Sequence, residues 1–370
     1  MRFDGFEAGW WWGLLIAAGI TTLAMLALFP VAARLGLVDH PTDRKNHLQV
    51  TPATGGVAML LAIVLALFAL VESTRAASAF AVAAVMLVVT GWLDDRHDLR
   101  WWLRVAVQIT VALILIYGGG VRIEHLGPVF GIGDTPLGAL SVPITVFATV
   151  GLINAMNMID GIDGLAATLV LATLVMVVAA AGYSGNVVLV QRSLVMAGAV
   201  IAFLAFNFRF PWRARAHAFM GNSGSALLGL VVAWCCFRLT QNVGHPVSPV
   251  LALWLAPVPV IDCLVLIVRR MRAARSPFSA DHHHVHHIMR DAGFSPGSTA
   301  IGLAAFTLLS GLLMGQCMRW NVPEPLLLLA YLLALAMWFL LTARRERAVT
   351  FFRAARFWRR RQVGVAQNEA

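Results

Sequence analysis

The segment Asn154-Ala-Met-Asn157-Met-Ile-Asp160-Gly-Ile-Asp163-Gly-Leu holds two amides and two carboxylates at three-residue steps. On a helix, such steps keep Asn154, Asn157 and Asp160 within about 120° of the surface. Gly161 and Gly164 let the chain break and turn, and Asp163 then stands where the N-cap of the next helix belongs. Oxygen ligands gathered at a helix start suit two guests. One is a hard cation such as Mg2+ or Mn2+, and the other is a phosphate drawn to free backbone N–H groups. A second acidic group, Asp94, Asp95 and Asp98, closes another apolar run. Asp39 and Asp43 follow the first such run, and Asp281 and Asp291 lie in a later loop. A solvated helix end explains any single carboxylate. Five from two hairpins on one face point to a shared site.

Ala280-Asp281-His282-His283-His284-Val285-His286-His287 contains five of the eleven histidines. Pairs four apart, His282 with His286 and His283 with His287, could hold zinc on a helix. The same rings could donate to phosphate and sugar oxygens. Arg269, Arg270, Arg272 and Arg275 make the segment strongly cationic. No Glu follows a His as it does in metalloprotease helices, so an anionic substrate is the better reading. Asp39-His-Pro-Thr-Asp-Arg44-Lys45-Asn-His47 carries the chain's one lysine and runs into Pro52-Ala-Thr-Gly55-Gly56. It reads as a phosphate-contacting loop, with a plain basic loop as the alternative.

The elements that must carry these groups are membrane helices. Of 370 residues, 59% are hydrophobic and 12% charged, against about 45–50% and about 25% in soluble domains, and mean hydropathy is +0.78. Eleven runs approach the roughly 20 residues that cross a bilayer. They are 11–33, 55–72, 77–93, 101–118, 138–156, 165–183, 190–208, 222–240, 249–268, 298–317 and 325–343. The expected fold is all-α and polytopic, with a membrane domain over 1–343 and a basic tail over 344–370. Met1–Trp10 sets Arg2 against Asp4 and Glu7, so it lacks the positive start of a signal peptide, and the first run reads as a retained helix.

With the N-terminus outside, the inside segments hold 21 of the 28 basic residues and the outside segments four. That asymmetry orients the chain and places the tail and nearly all the motifs in the cytoplasm. It also accounts for the net charge of +10 without a nucleic-acid partner. Carboxylates at cytoplasmic helix ends, rather than at the bilayer midplane, argue against a secondary transporter. Cys235, Cys236, Cys263 and Cys317 lie in apolar runs and read as buried hydrophobes. Gly311 and Gly315 form a small-residue face on which a homodimer could pack. In the tail, Phe351, Ala355 and Trp358 lie opposite Arg353, Arg356 and Arg360, the pattern of a helix on anionic lipid.

Taken in order, these motifs resemble the polyprenyl-phosphate N-acetylhexosamine-1-phosphate transferase family, glycosyltransferase family 4. The matching residues are Asp39, Arg44, Lys45 and His47 with Gly55-Gly56; Asp94-Asp95; Asn154 to Gly164; Phe219-Met-Gly221-x-x-Gly224-Ser225; and Ser276-Pro-Phe-x-x-Asp281 with His284-x-His286-His287. The run Thr240-Gln241, His245-Pro-x-Ser248-Pro and Leu253-Trp254 is similar to the bacterial branch that uses undecaprenyl phosphate and UDP-N-acetylglucosamine. The resemblance implies transfer of the sugar 1-phosphate to the lipid phosphate with loss of UMP, at the inner membrane. It implies catalytic roles for Asp94, Asp95, Asp160, Asp163, His284, His286 and His287. It implies substrate contacts for Arg44, Lys45, His47, Asn154, Asn157, Arg275 and Asp281, and a Mg2+ or Mn2+ site at Asp94, Asp95, Asp160, Asp163 and Asn222. Two positions depart from the pattern: Asn222 stands where the family has Asp, and His282 where this branch tends to have Arg.

Overall fold

Why the apolar runs become helices is a matter of solvent: in lipid, every backbone N–H and C=O must be satisfied within its own segment. The computed structural model describes residues 9–39, 51–213, 215–276 and 283–368, with side chains through 356. Arg44, Lys45, His47, Asp281 and His282, and the side chains of Trp358 and Arg360, lie outside the described residues. The helices are α1 (Gly9–Leu28), α2 (Gly55–Leu70), α3 (Arg75–His97), α4 (Trp101–Leu113), α5 (Ser141–Ile159), α6 (Leu165–Tyr183) and α7 (Val187–Asn207). They continue with α8 (Gly221–Thr240), α9 (Val250–Leu255), α10 (Pro257–Arg272), α11 (Val285–Asp291), α12 (Pro296–Arg319), α13 (Glu324–Leu341) and α14 (Arg345–Asn368). The protein is an all-α, multi-pass membrane protein.

Among the described residues, nine helices are long and apolar enough to cross a bilayer, and each falls on one of the eleven expected runs. The other two expected runs differ. α2 has 16 residues and, at about 1.5 Å per residue, is shorter than a hydrocarbon core. The run 249–268 is broken into α9 and α10 at Ala256, whose φ of −135° and ψ of 50° leave the helix. Pro257 causes the break, because it lacks an N–H and disfavours helical geometry in the residue before it. α13 exposes Leu326, Leu329, Leu332, Leu333, Met337 and Leu340, an arrangement that suits lipid and not water.

α8 is the central helix, packed by α2, α3, α5 and α6. Helices in lipid gain little from hydrophobic association, so close backbone approach over small residues holds them. A Cβ on Gly56 of α2 would come within 2.5 Å of the Gly224 nitrogen, and one on Gly91 of α3 within 2.4 Å of the Ser223 Cα. The first loop is drawn to the same place. β1 (Val38–Asp39) pairs antiparallel with β2 (Thr51–Pro52), and Phe219, just before α8, donates to the Pro52 carbonyl at 2.8 Å. Gly311, half of the expected Gly-x-x-x-Gly face, lies against Met176 of α6 in the same chain, while Gly315 faces open space.

The basic tail is helical over α14 and docks on α11. Arg345 pairs with Asp291, and Phe352 packs edge-on against Phe294 and Trp338. Phe352 faces the protein, and Phe351 is exposed. The ion pair is solvent-exposed and contributes at most about 1 kcal/mol, and each aromatic contact about 0.5–1.5 kcal/mol. Truncation after Ala343 is therefore expected to speed amide hydrogen exchange across 285–291 about tenfold. Unchanged exchange there would show that α14 does not support α11.

Candidate active site

Four helices meet through side chains at one end of the bundle. Asp94, near the end of α3, is 5% exposed. Its Oδ1 accepts from the Leu99 N–H at 2.9 Å, and its Oδ2 accepts from Arg104 Nη1 at 3.0 Å and from Asn222 Nδ2 at 2.9 Å. Asn222 Oδ1 accepts from Asn157 Nδ2 at 3.0 Å, which also donates to Ser225 Oγ at 2.9 Å. Asp95 accepts the backbone N–H of Asn222 at 3.0 Å, so a carboxylate of α3 caps the N-terminus of α8, where the helix dipole favours it. Asn154 donates to Gln108 Oε1 at 2.6 Å and to the Val150 carbonyl. Asp94, Arg104, Gln108, Asn154, Asn157 and Asn222 line a groove of about 590 Å3, whose remaining wall is largely apolar, with Leu87, Val107, Phe147 and Ile153 among its residues.

The second acidic pair lies on the turn after α5. α5 ends at Ile159, and Asp160 is its C-cap. Among the described residues no hydrogen-bond donor reaches the Asp160 carboxylate. Burial, then the charge of Asp163, then that of Asp95, pushes its pKa up to about 7. Asp163 is not the N-cap of α6. Gly164 takes that place at a φ of +80°, which a glycine adopts without strain. Its N–H donates to Asn207 Oδ1 at 2.7 Å, and Asp163 pairs with Arg209.

The histidines approach this turn from α11. The His286 ring is 1% exposed, and among the described residues neither nitrogen has a hydrogen-bond partner. It fits against Gly161, where a Cβ would come within 2.2 Å of Nε2. Burial, reinforced by His287 and His284, pushes its pKa well below the usual histidine value, so the ring is neutral at pH 7. The His284 and His286 rings stack at 5.5 Å, and His287 lies 4.2 Å from His286 between ring centres. His284 Nδ1 lies 2.8 Å from Asp262 Oδ2 of α10. Arg275 is exposed just past the end of α10.

Among the described residues no three His, Cys, Asp or Glu side chains converge into a ready metal cage. A magnesium site does not need one, because the ion keeps several waters and binds through one or two carboxylates plus substrate phosphates. Burial first, and then the charges of Asp163 and Asp95, disfavour the Asp160 carboxylate; a cation would offset both, so the donor set fits a hard divalent ion.

Two members of this site are not evident from the sequence motifs. Arg104 reads only as a charge inside a span, and Asp262 is hidden in the run 249–268. The available signal was physical: an ionisable residue within an apolar helix needs a partner.

A largely apolar groove whose lining also holds Asp94, Arg104 and several amides could take an apolar chain that carries a charged head. Comparison with known proteins agrees. The model of a family described as Glycosyl transferase family 4 matches residues 77–240. Undecaprenyl-phosphate alpha-N-acetylglucosaminyl 1-phosphate transferase of Escherichia coli (strain K12) is 33% identical over 94% of this chain and 95% of its own. The protein of the same description from Yersinia pestis is 33% identical over 89% of this chain and 90% of its own. That from Haemophilus influenzae is 34% identical over 74% and 77%. The chain belongs to glycosyl transferase family 4, and it is a phosphotransferase.

Asn222→Asp would set a second carboxylate oxygen where Nδ2 now donates, 2.9 Å from Asp94. Loss of that charged hydrogen bond is expected to cost about 1.5–3 kcal/mol of metal-free stability, and the added charge to increase the stabilisation by Mg2+. Thermal unfolding in detergent with and without Mg2+ checks this. Equal metal-induced shifts in both proteins would leave Asn222 as a hydrogen-bond bridge only.

Proposed function

We propose that the protein transfers N-acetylglucosamine 1-phosphate from UDP-N-acetylglucosamine to undecaprenyl phosphate. The products are undecaprenyl-diphospho-N-acetylglucosamine and UMP, and the reaction is the first membrane step of a cell-surface polysaccharide such as O-antigen. The observation that carries this reading is a largely apolar groove whose lining includes Asp94, Arg104 and Asn222. An apolar wall suits a polyprenyl chain, and the arginine in it suits a phosphate. The names of the relatives support the acceptor and the sugar.

In this reading the lipid phosphate lies beside Arg104, which Asp94 holds in place. The second pKa of a phosphate monoester is about 6, so the attacking group is already largely a dianion at pH 7 and needs little help from a base. One of its oxygens forms a bond to the sugar-bearing phosphorus of the donor. The anhydride bond to the other phosphorus breaks, and its electron pair leaves with UMP. His284 and His287 donate to the diphosphate and sugar, and neutral His286 packs the segment against the Gly161 turn. Asp95 and Asp160, with Asp163 beside them, would hold Mg2+ or Mn2+. That ion would supply charge neutralisation for the diphosphate and the departing UMP.

The site is assigned to the cytoplasmic face of the bacterial inner membrane, with the N-terminus outside and the C-terminus inside. The 21-to-4 division of basic residues supports this. Exposed Arg344, Arg347 and Phe351 on and beside α14 suit anionic lipid at the inner leaflet.

Purified protein given a short polyprenyl phosphate and a panel of UDP-N-acetylhexosamines is expected to release UMP, fastest with the N-acetylglucosamine donor. No release with any donor would overturn the reading. Asp160 must be ionised to hold a cation, so the rate should rise as pH passes upward through about 7. Added Mg2+ favours the carboxylate and should move that limb to lower pH. A limb fixed in position at every Mg2+ concentration would contradict the role given to Asp160.

A further inference from the structure

Asp262 has no part in the motifs of the sequence or in the steps above, yet its surroundings are specific. It is the sixth residue of α10, on an apolar helix, and only 3% exposed. A carboxylate in such a place persists when it is paired. Both of its oxygens are used, and both by the start of α11: Oδ2 lies 2.8 Å from His284 Nδ1, and Oδ1 accepts the Val285 N–H at 3.0 Å. The His284 ring is as buried as its partner.

An ionised carboxylate can only accept, so the proton between Asp262 and His284 resides on Nδ1. That fixes the tautomer of His284 and leaves Nε2 as its working nitrogen, the arrangement by which buried carboxylates orient functional histidines. The second bond holds the first N–H of α11. The chain of contact then continues to the acidic turn: His284 stacks on His286, and His286 fits against Gly161, next to Asp160. Asp262 therefore governs both the tautomer of one histidine and the placement of the three-histidine segment.

We infer that Asp262 is a positioning residue for phosphotransfer, acting through His284. The inference rests on the proposed reaction, in which His284 contacts the diphosphate. Asp262→Asn keeps size and shape but has one acceptor for two donors. If its oxygen keeps the Val285 N–H, its NH2 group faces Nδ1, and the imidazole must move its proton to Nε2.

The test uses the full chain in detergent or nanodiscs, with Asp262→Asn, Asp262→Glu, His284→Ala and the double variant Asp262→Asn/His284→Ala. Asp262→Asn is expected to lower kcat for UMP release by about 10²-fold or more, the scale of losing a tautomer-setting carboxylate, with KM for the nucleotide sugar little changed. Asp262→Glu should recover part of the loss. The double variant should be no slower than His284→Ala alone, because residues that act as a unit are not additive. In 15N-histidine NMR, the signal missing from His284→Ala should report Nδ1–H in the native protein and Nε2–H in Asp262→Asn. Losses that multiply in the double variant, a native kcat in Asp262→Asn, or an unchanged His284 tautomer would each overturn the inference. Failure of the native protein to release UMP would instead sink the reaction, and the NMR comparison would still decide the pairing.

Discussion

The amide of Asn222 is the interaction on which the site depends. Its nitrogen donates to Asp94 of α3, its oxygen accepts from Asn157 of α5, and its backbone N–H is capped by Asp95. Through Asp94 the same network reaches Arg104 of α4. An amide can join these groups because it donates at one end and accepts at the other. A carboxylate there would face another carboxylate, and an apolar residue would remove one hydrogen bond from Asp94 and one from Asn157, leaving them only Arg104 with Leu99 and Ser225. Glycines of α2 and α3 let α8 approach closely enough to bring Asn222 to this place.

Around that junction the charges fall into two groups that answer different needs. Asp94 and Asp163 are neutralised within the protein by Arg104 and Arg209. No described residue pairs with Asp160, and its elevated pKa records the burial and the neighbouring carboxylates. The histidine segment that closes over it brings a neutral ring, His286, rather than another charge. The proposed reaction would use this balance, with fixed cations facing phosphate and the acidic turn facing a divalent cation.

Much of this was legible in the sequence, and the residues show why. The carboxylates, the two asparagines of α5 and the histidines announced themselves because polar groups at the ends of apolar runs have few structural explanations. Nine helices followed from the length and hydropathy of their runs. The break before Pro257 was missed because the run reads as continuous on hydropathy, although the proline rule for the preceding residue applies to it. The capping rule is local and points to Asp163, whereas its actual partner, Arg209, is 46 residues away. Arg104 and Asp262 were passed over for the same reason: a charged residue inside a span signals a partner, but sequence does not say which one. Of the expected Gly311–Gly315 face, Gly311 packs against α6 of its own chain, while Gly315 meets nothing within 4 Å.

The central claim is that the groove bordered by α3, α4, α5, α8 and α10 carries the lipid acceptor to the Asp94–Arg104–Asn222 junction. Photo-crosslinking tests it directly, with a polyprenyl phosphate bearing a diazirine in its first isoprene units and the adducts mapped by mass spectrometry. The account predicts adducts on groove residues such as Leu87, Val107, Phe147 and Ile153, suppressed by excess unlabelled polyprenyl phosphate. Competable adducts confined to the outer faces of α12 and α13, with none in the groove, would contradict it.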